Sequence, residues 1–254
     1  MCLILFAYGQ SKDYPLIVIS NRDEFYARPT RSAHWWEDSS DTFGGRDLEA
    51  QGTWMGVNRQ GRFAAVTNVR ELGQNQLSQR SRGDLTREFL TGSESVSQFL
   101  AKITSRQDDY AGFNLLIGDG NQLWSYSNRQ PSIQKLTPGF HGVSNGLFGE
   151  PGPKLTSGIK ALEQTLFGGA DDDALIEIMA SRQQVPDALL PTTGMPLEKE
   201  RQLSSRFVQL PDYGTRASTL IKFSNQSTVS FTEQTFNPET NQKTRINETF
   251  SIQS

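Results

Sequence analysis

One cysteine and two histidines are all that 254 residues offer to thiol and imidazole chemistry. A lone cysteine excludes an intramolecular disulfide and every cysteine-rich zinc site. A Ser-His-Asp triad would have to use His34 or His141, and neither lies in a nucleophile-elbow motif. HExxH and phosphate-loop patterns are absent, and no metal site is expected. No apolar run approaches the ~20 residues of a membrane span. Basic residues are scattered and the net charge is −3, so the concentrated basic patch of a nucleic-acid surface is missing. No proline/serine-rich linker, charge block, low-complexity tract or repeat divides the chain. Residues 1–254 are therefore expected to form one domain with a substantial core. The opening segment has no basic region followed by a long apolar run and cleavage site, which points to a cytoplasmic protein.

What is present starts at that cysteine. Cys2 directly follows Met1. Removal of Met1 would leave one residue carrying both a thiol nucleophile and a free α-amine. With a pKa near ~8, the amine is partly unprotonated around neutral pH and can take the thiol proton without a histidine. The plainer reading makes Cys2 a small buried hydrophobe at the start of a strand.

Apolar patterning places this residue in a sheet. The runs Leu3–Tyr8 and Leu16–Ile19 flank the turn Gly9–Pro15, which reads as a hairpin buried on both faces. The second run leads into Ser20-Asn21-Arg22-Asp23-Glu24-Phe25. That segment either serves a site near the chain start or leaves the core as a solvated loop. On a strand, Asn21 and Asp23 share one face and Arg22 and Glu24 the other. Further hairpins are expected over 52–68, 113–127 and 217–232. A helix capped by Ser93 is expected through Val96, Phe99, Leu100 and Ile103. Another follows the stripe Leu155, Ile159, Leu162, Leu166 and ends at Gly168-Gly169, and Asp171-Asp172-Asp173 open a third. Antiparallel hairpins mixed with helices give an α+β fold.

Ordered motifs then run along nearly the whole chain. They are Met1-Cys2-Leu3-Ile4-Leu5-Phe6, Asn21-Arg22-Asp23-Glu24-Phe25-Tyr26-Ala27-Arg28-Pro29, Gly45-Arg46-Asp47-Leu48 and Gly52-Thr53-Trp54. Next come Gly61–Asn68, Arg80-Ser81-Arg82-Gly83, Gly112-Phe113-Asn114, Ser144-Asn145, Pro153-Lys154 and Tyr213-Gly214-Thr215-Arg216. In these the chain resembles the NRDE protein family, which takes its name from the tetrapeptide and includes the transport and Golgi organisation protein 2-like proteins. The family in turn resembles cysteine-type N-terminal-nucleophile hydrolases. That implies a four-layer αββα sandwich of antiparallel sheets, and relatives that cleave linear amides such as bile-salt conjugates and penicillin V.

The resemblance also implies roles. Cys2 would be the nucleophile, with Asn145, or alternatively Asn68, at the oxyanion. An Arg and an Asp flank the nucleophile in such enzymes. Here Arg22 and Asp23 match by type while Asn21 and Glu24 match by their separation of three, and Asp23 is favoured as partner of the α-amine. Two arginines compete for one further place. Arg206 lies in a Ser-Arg-Phe element like that of bile-salt hydrolases, and Arg216 lies in the family's own motif and is preferred. Trp54 could line an apolar pocket, as could Trp35-Trp36, although aromatics in sheets usually fill cores. The alternative implied by the resemblance is a non-catalytic haem- or acyl-lipid-binding protein, with Cys2, His34 or His141 as possible haem ligands. The expected ligand is thus a small amide, acyl compound or haem. A bacterial source is expected.

Overall fold

A computed structural model of the chain describes residues 2–71, 78–169, 171–191, 194–240 and 242–253. Strands follow in chain order as β1 (Cys2–Tyr8), β2 (Leu16–Phe25), β3 (Thr30–Trp36), β4 (Ser39–Asp47), β5 (Met55–Asn58) and β6 (Phe63–Asn68). After α1 (Arg82–Thr91) and α2 (Val96–Thr104) come β7 (Phe113–Gly118), β8 (Leu123–Ser127), β9 (Gln130–Lys135) and β10 (Gly139–Val143). Then follow α3 (Pro153–Phe167), α4 (Asp172–Glu177), α5 (Leu197–Leu203), β11 (Tyr213–Phe223), β12 (Thr228–Phe236) and β13 (Lys243–Ser251).

The strands form two antiparallel sheets. One has the order β10-β1-β2-β11-β12-β13, and the other runs β3 to β9 in sequence order. Alternation along β1 and β2 determines what lies on each side of the first sheet. Ile4, Phe6, Leu16 and Val18 join Phe43, Val57 and Leu116 in a core between the sheets. Leu3, Leu5, Ile17 and Ile19 face outward onto Leu155, Leu162, Leu175 and Ile176 of α3 and α4. On the far side, Leu85, Phe89, Phe99 and Ile103 of α1 and α2 cover Ala64, Val66, Leu115 and Ile117. The result is the four-layer αββα sandwich that the family resemblance implied.

Local details differ from expectation at several points. The helix assigned to Ser93 is capped by Ser95, whose side chain accepts the Gln98 N–H while Gln98 reaches back in a capping box. Asp171-Asp172-Asp173 do open a helix as expected, Asp171 capping α4 by accepting the Ala174 N–H at 3.0 Å. The polar stretch after Ile19 does not leave the core: β2 continues to Phe25 and stays buried through Asp23. Between Thr215 and Ala217 the pairing of β11 with β2 slips, which places Arg216 in a bulge. Among the described residues no helix is long and apolar enough to cross a membrane.

Candidate active site

The register of the first hairpin sets Cys2 directly opposite Arg22. Both lie on the face that carries Ile4 and Val18, so both look toward the second sheet. They meet a cavity of about 380 Å³, which Asp23, Glu24, Trp54, Asn68 and Arg82 also line. Cys2 is half-buried. Burial pushes its thiol up, and the Asp23 and Glu24 carboxylates push the same way while Arg22 opposes them. Around neutral pH the group is a thiol that needs a base rather than a ready thiolate.

Arg22 is held from three sides. Its Nη1 donates to Thr30 Oγ1 at 3.0 Å, its Nη2 lies 3.9 Å from Asp47, and its guanidinium stacks 4.1 Å from the Trp54 ring centroid. Trp54 fits there because residue 45 is glycine: a Cβ on Gly45 would come 2.2 Å from the indole. Asp47 accepts from Arg28 Nε at 2.7 Å and from the Glu49 and Ala50 N–H groups. Burial opposes its ionisation, but these donors hold its carboxyl below the usual range.

Asp23 follows Arg22 on β2 and lines the same cavity as Cys2. Its Oδ1 accepts from Thr215 Oγ1 at 2.7 Å, and Tyr213 donates to its backbone carbonyl. Burial pushes the Asp23 carboxyl up, while the Lys154 charge and the Thr215 hydroxyl pull it down. Lys154 donates from Nζ to the Leu203 carbonyl at 3.1 Å. Burial lowers it and the Asp23 carboxylate supports its charge. It lines a second cavity of about 410 Å³ together with Arg70, Asn145 and Glu200.

The other sequence candidates separate by location. Glu24 and Asn68 line the Cys2 cavity. Asn21 does not: its Nδ2 donates to the Met179 and Arg206 carbonyls and its Oδ1 accepts from Ser218. Asn145 lines the second cavity and donates to the Asn68 carbonyl at 3.0 Å, and its buried Oδ1 has no partner among the described residues. Arg206 binds the Ile178 carbonyl and Ser157 Oγ on the helix side. Arg216 donates to the Phe25 and Arg28 carbonyls and lines a third cavity beyond Arg22. Trp36 is buried in the core beneath α1 and α2, and Trp35 packs on the core between the sheets, under Arg59.

Sequence reasoning missed Arg82, Lys154, Asp47, Tyr213 and Thr215 as neighbours of the thiol or of its flanking charges. The signal was present, since each falls in a motif that served to recognise the family. The Tyr213-Gly214-Thr215-Arg216 motif works as a clamp on the NRDE strand, gripping Asp23, Phe25 and Arg28. The possible haem ligands do not converge. His34 Nδ1 lies against the Ser32 carbonyl and His141 Nε2 against that of Thr137, and neither ring lines the Cys2 cavity.

A cysteine at the head of the first strand, facing a cavity at one end of an αββα sandwich, defines an N-terminal-nucleophile hydrolase-like fold. Two solved structures share it. One is a Caenorhabditis elegans N-acylethanolamine-hydrolyzing acid amidase ortholog, with TM-score 0.50 and 11% identity, covering 87% of this chain and 92% of that one. The other is the C2A mutant of conjugated bile acid hydrolase from Clostridium perfringens, with TM-score 0.51 and 10% identity over 100% and 97% of the two chains. At such identities the likeness is one of fold. The chain itself belongs to the Transport and Golgi organisation 2 family, whose model matches residues 1–238. It is 35% identical to the Transport and Golgi organization protein 2 homolog of Bos taurus and 34% identical to that of Homo sapiens, over 92% of each chain. It is 25% identical to the Drosophila melanogaster protein over the same share.

Proposed function

We propose that this protein is a cysteine N-terminal-nucleophile hydrolase that cleaves a linear amide or related acyl substrate once Met1 has been removed. The observation that carries this reading is the placement of its lone cysteine opposite Arg22, at a cavity where three carboxylates and further arginines meet. The solved relatives of this fold named above include an acid amidase and a bile acid hydrolase. In the proposed reaction the free α-amine of Cys2 takes the thiol proton as sulfur bonds to the substrate carbonyl carbon. The resulting α-ammonium returns that proton to the leaving nitrogen as the C–N bond breaks. Water then adds to the thioester with loss of a proton to the amine, the C–S bond breaks, and the thiol is restored as the acid departs.

Asp23 would orient the α-ammonium, and Arg22 would favour the developing thiolate. Asn68 takes the oxyanion role in this proposal, because its side chain lines the cavity and makes no hydrogen bond among the described residues. Asn145 would set Asn68 in place through the bond to its carbonyl. Loss of an oxyanion donor should lower kcat about 100-fold to 1000-fold. The test is acylation by a β-lactone or penicillin-like probe, read by intact mass on protein already lacking Met1. One adduct, confined to Cys2 and lost in Cys2→Ser, supports the reading. A folded, processed protein that takes no adduct from any such probe removes it.

A further inference from the structure

Four arginines line the Cys2 cavity, and three of them are occupied. Arg22 is held by Thr30, Asp47 and Trp54. Arg28 is paired with Asp47 and Glu49, and Arg80 with Glu88. Arg82 differs. Its Nη1 donates to the Gly112 carbonyl at 3.2 Å, and it makes no ion pair among the described residues. It lies at the first turn of α1, where Ser81 caps the helix by accepting the Gly83 N–H, so the local backbone also presents its positive end. The cavity holds three acidic residues besides. Asp47 is satisfied by Arg28 and two backbone donors, and Asp23 by Thr215. Glu24 turns Oε1 onto the Phe25 N–H. Burial pushes the Arg82 guanidinium down, while Cys2 when ionised and the Glu24 and Glu71 carboxylates push it back up.

We propose that Arg82 is the recognition residue for an anionic group, a carboxylate, sulfonate or phosphate, carried by the substrate close to the bond that Cys2 attacks. A guanidinium retains several donors after giving one N–H to Gly112, and its fork matches two oxygens of such a group. Its partial burial makes an anionic partner worth more than at the open surface, and the partner would offset part of the desolvation of the charge. The substrate class narrows accordingly, to acyl compounds with an anion beside the scissile carbonyl rather than neutral amides. This rests on the hydrolase reading for what happens next, but the anion site itself is testable without turnover.

The probe is the lone thiol. Iodoacetate and iodoacetamide alkylate Cys2 by the same step: sulfur bonds to the methylene carbon, iodide leaves and the thiol proton goes to solvent. Only the first reagent carries a carboxylate. Because both draw on the same thiolate, their rate ratio cancels any change in thiol acidity. Intact-mass kinetics should give iodoacetate an advantage of about tenfold, saturable and competed by inorganic sulfate. Arg82→Gln should bring the ratio to one or below, Arg82→Lys should keep part of it, and Glu24→Gln should raise it. Arg31→Gln, which removes an exposed charge paired with Glu37, should leave it unchanged. A wild-type ratio below one overturns the proposal, as does an undiminished ratio in folded Arg82→Gln. If that variant does not fold, a ratio that fails to rise in Glu24→Gln overturns it instead. Failure of acylating probes with the iodoacetate preference intact would sink hydrolysis and leave the anion site standing.

Discussion

The two faces of β2 use the same tetrapeptide for different ends. On the helix side Asn21 is wholly buried and saturated, tying β2 to β11 and to the Met179 and Arg206 backbone. On the inter-sheet side Arg22 is equally fixed in position, but its neighbour across the strand pair is a thiol at a cavity. Asn21 thus holds the sandwich together and Arg22 equips the site. Asp23 belongs by parity with Asn21, yet it lines the cavity as well. A contiguous motif is therefore not one site, and its members should respond differently to substitution.

The largest effect should come from Asn21→Ala. It strands two carbonyl acceptors and a serine hydroxyl in the interior, and urea unfolding should show a loss of about 3–5 kcal/mol. Cys2 alkylation in the folded fraction should be little changed; a large change would merge the two faces into one functional unit.

Glu233 sharpens the other face. It lines the cavity beyond Arg22, and its Oε1 accepts the Ala33 N–H at 2.7 Å, bridging the two sheets. Burial pushes its carboxyl up to about 7, against the Ala33 N–H and the Arg22 charge. A raised acid favours its neutral form in the fold. Its stabilising contribution is therefore present below the unfolded value and is lost as pH rises through about 7. Glu233→Gln should remove that loss, gaining on the wild type by about 2–3 kcal/mol between pH 4.5 and pH 8 in urea midpoints. A constant difference between the two proteins across that range would refute the assignment.

Arg22→Gln should slow acylation and alkylation of Cys2 about tenfold, because the thiolate loses its facing cation. Its effect on folding should be smaller than that of Asn21→Ala, since Asp47 keeps Arg28 and two backbone donors. Smallest of all, Arg216→Ala should cost about 1 kcal/mol through the Phe25 and Arg28 carbonyls, with little change in thiol reactivity.

Much of the sandwich could be read from the sequence because its central strands are buried on both faces. The runs Leu3–Tyr8 and Leu16–Ile19 could hardly be anything else. The edge strands could not. β13 reads Lys-Thr-Arg-Ile-Asn-Glu-Thr-Phe-Ser, and β9 is nearly as polar, because each has one neighbour and an exposed face. β3 and β4 were hidden by their irregular register. In the site, alternation separated Asn21 from Arg22 correctly. It could not place Asp23, which lines the cavity although it shares a strand face with Asn21. Nor could it choose between Asn68 and Asn145, which differ in the cavity they line although a single hydrogen bond joins them.

The central claim is that Cys2 works through its own α-amine. The most direct measurement compares two proteins that differ only in Met1, by intact-mass kinetics of acylation with one β-lactone probe near neutral pH. With a buried thiol pushed up and no histidine at the cavity, the Met1-free form should acylate at least about tenfold faster. Equal rates in the two forms, or an adduct anywhere but Cys2, would contradict it.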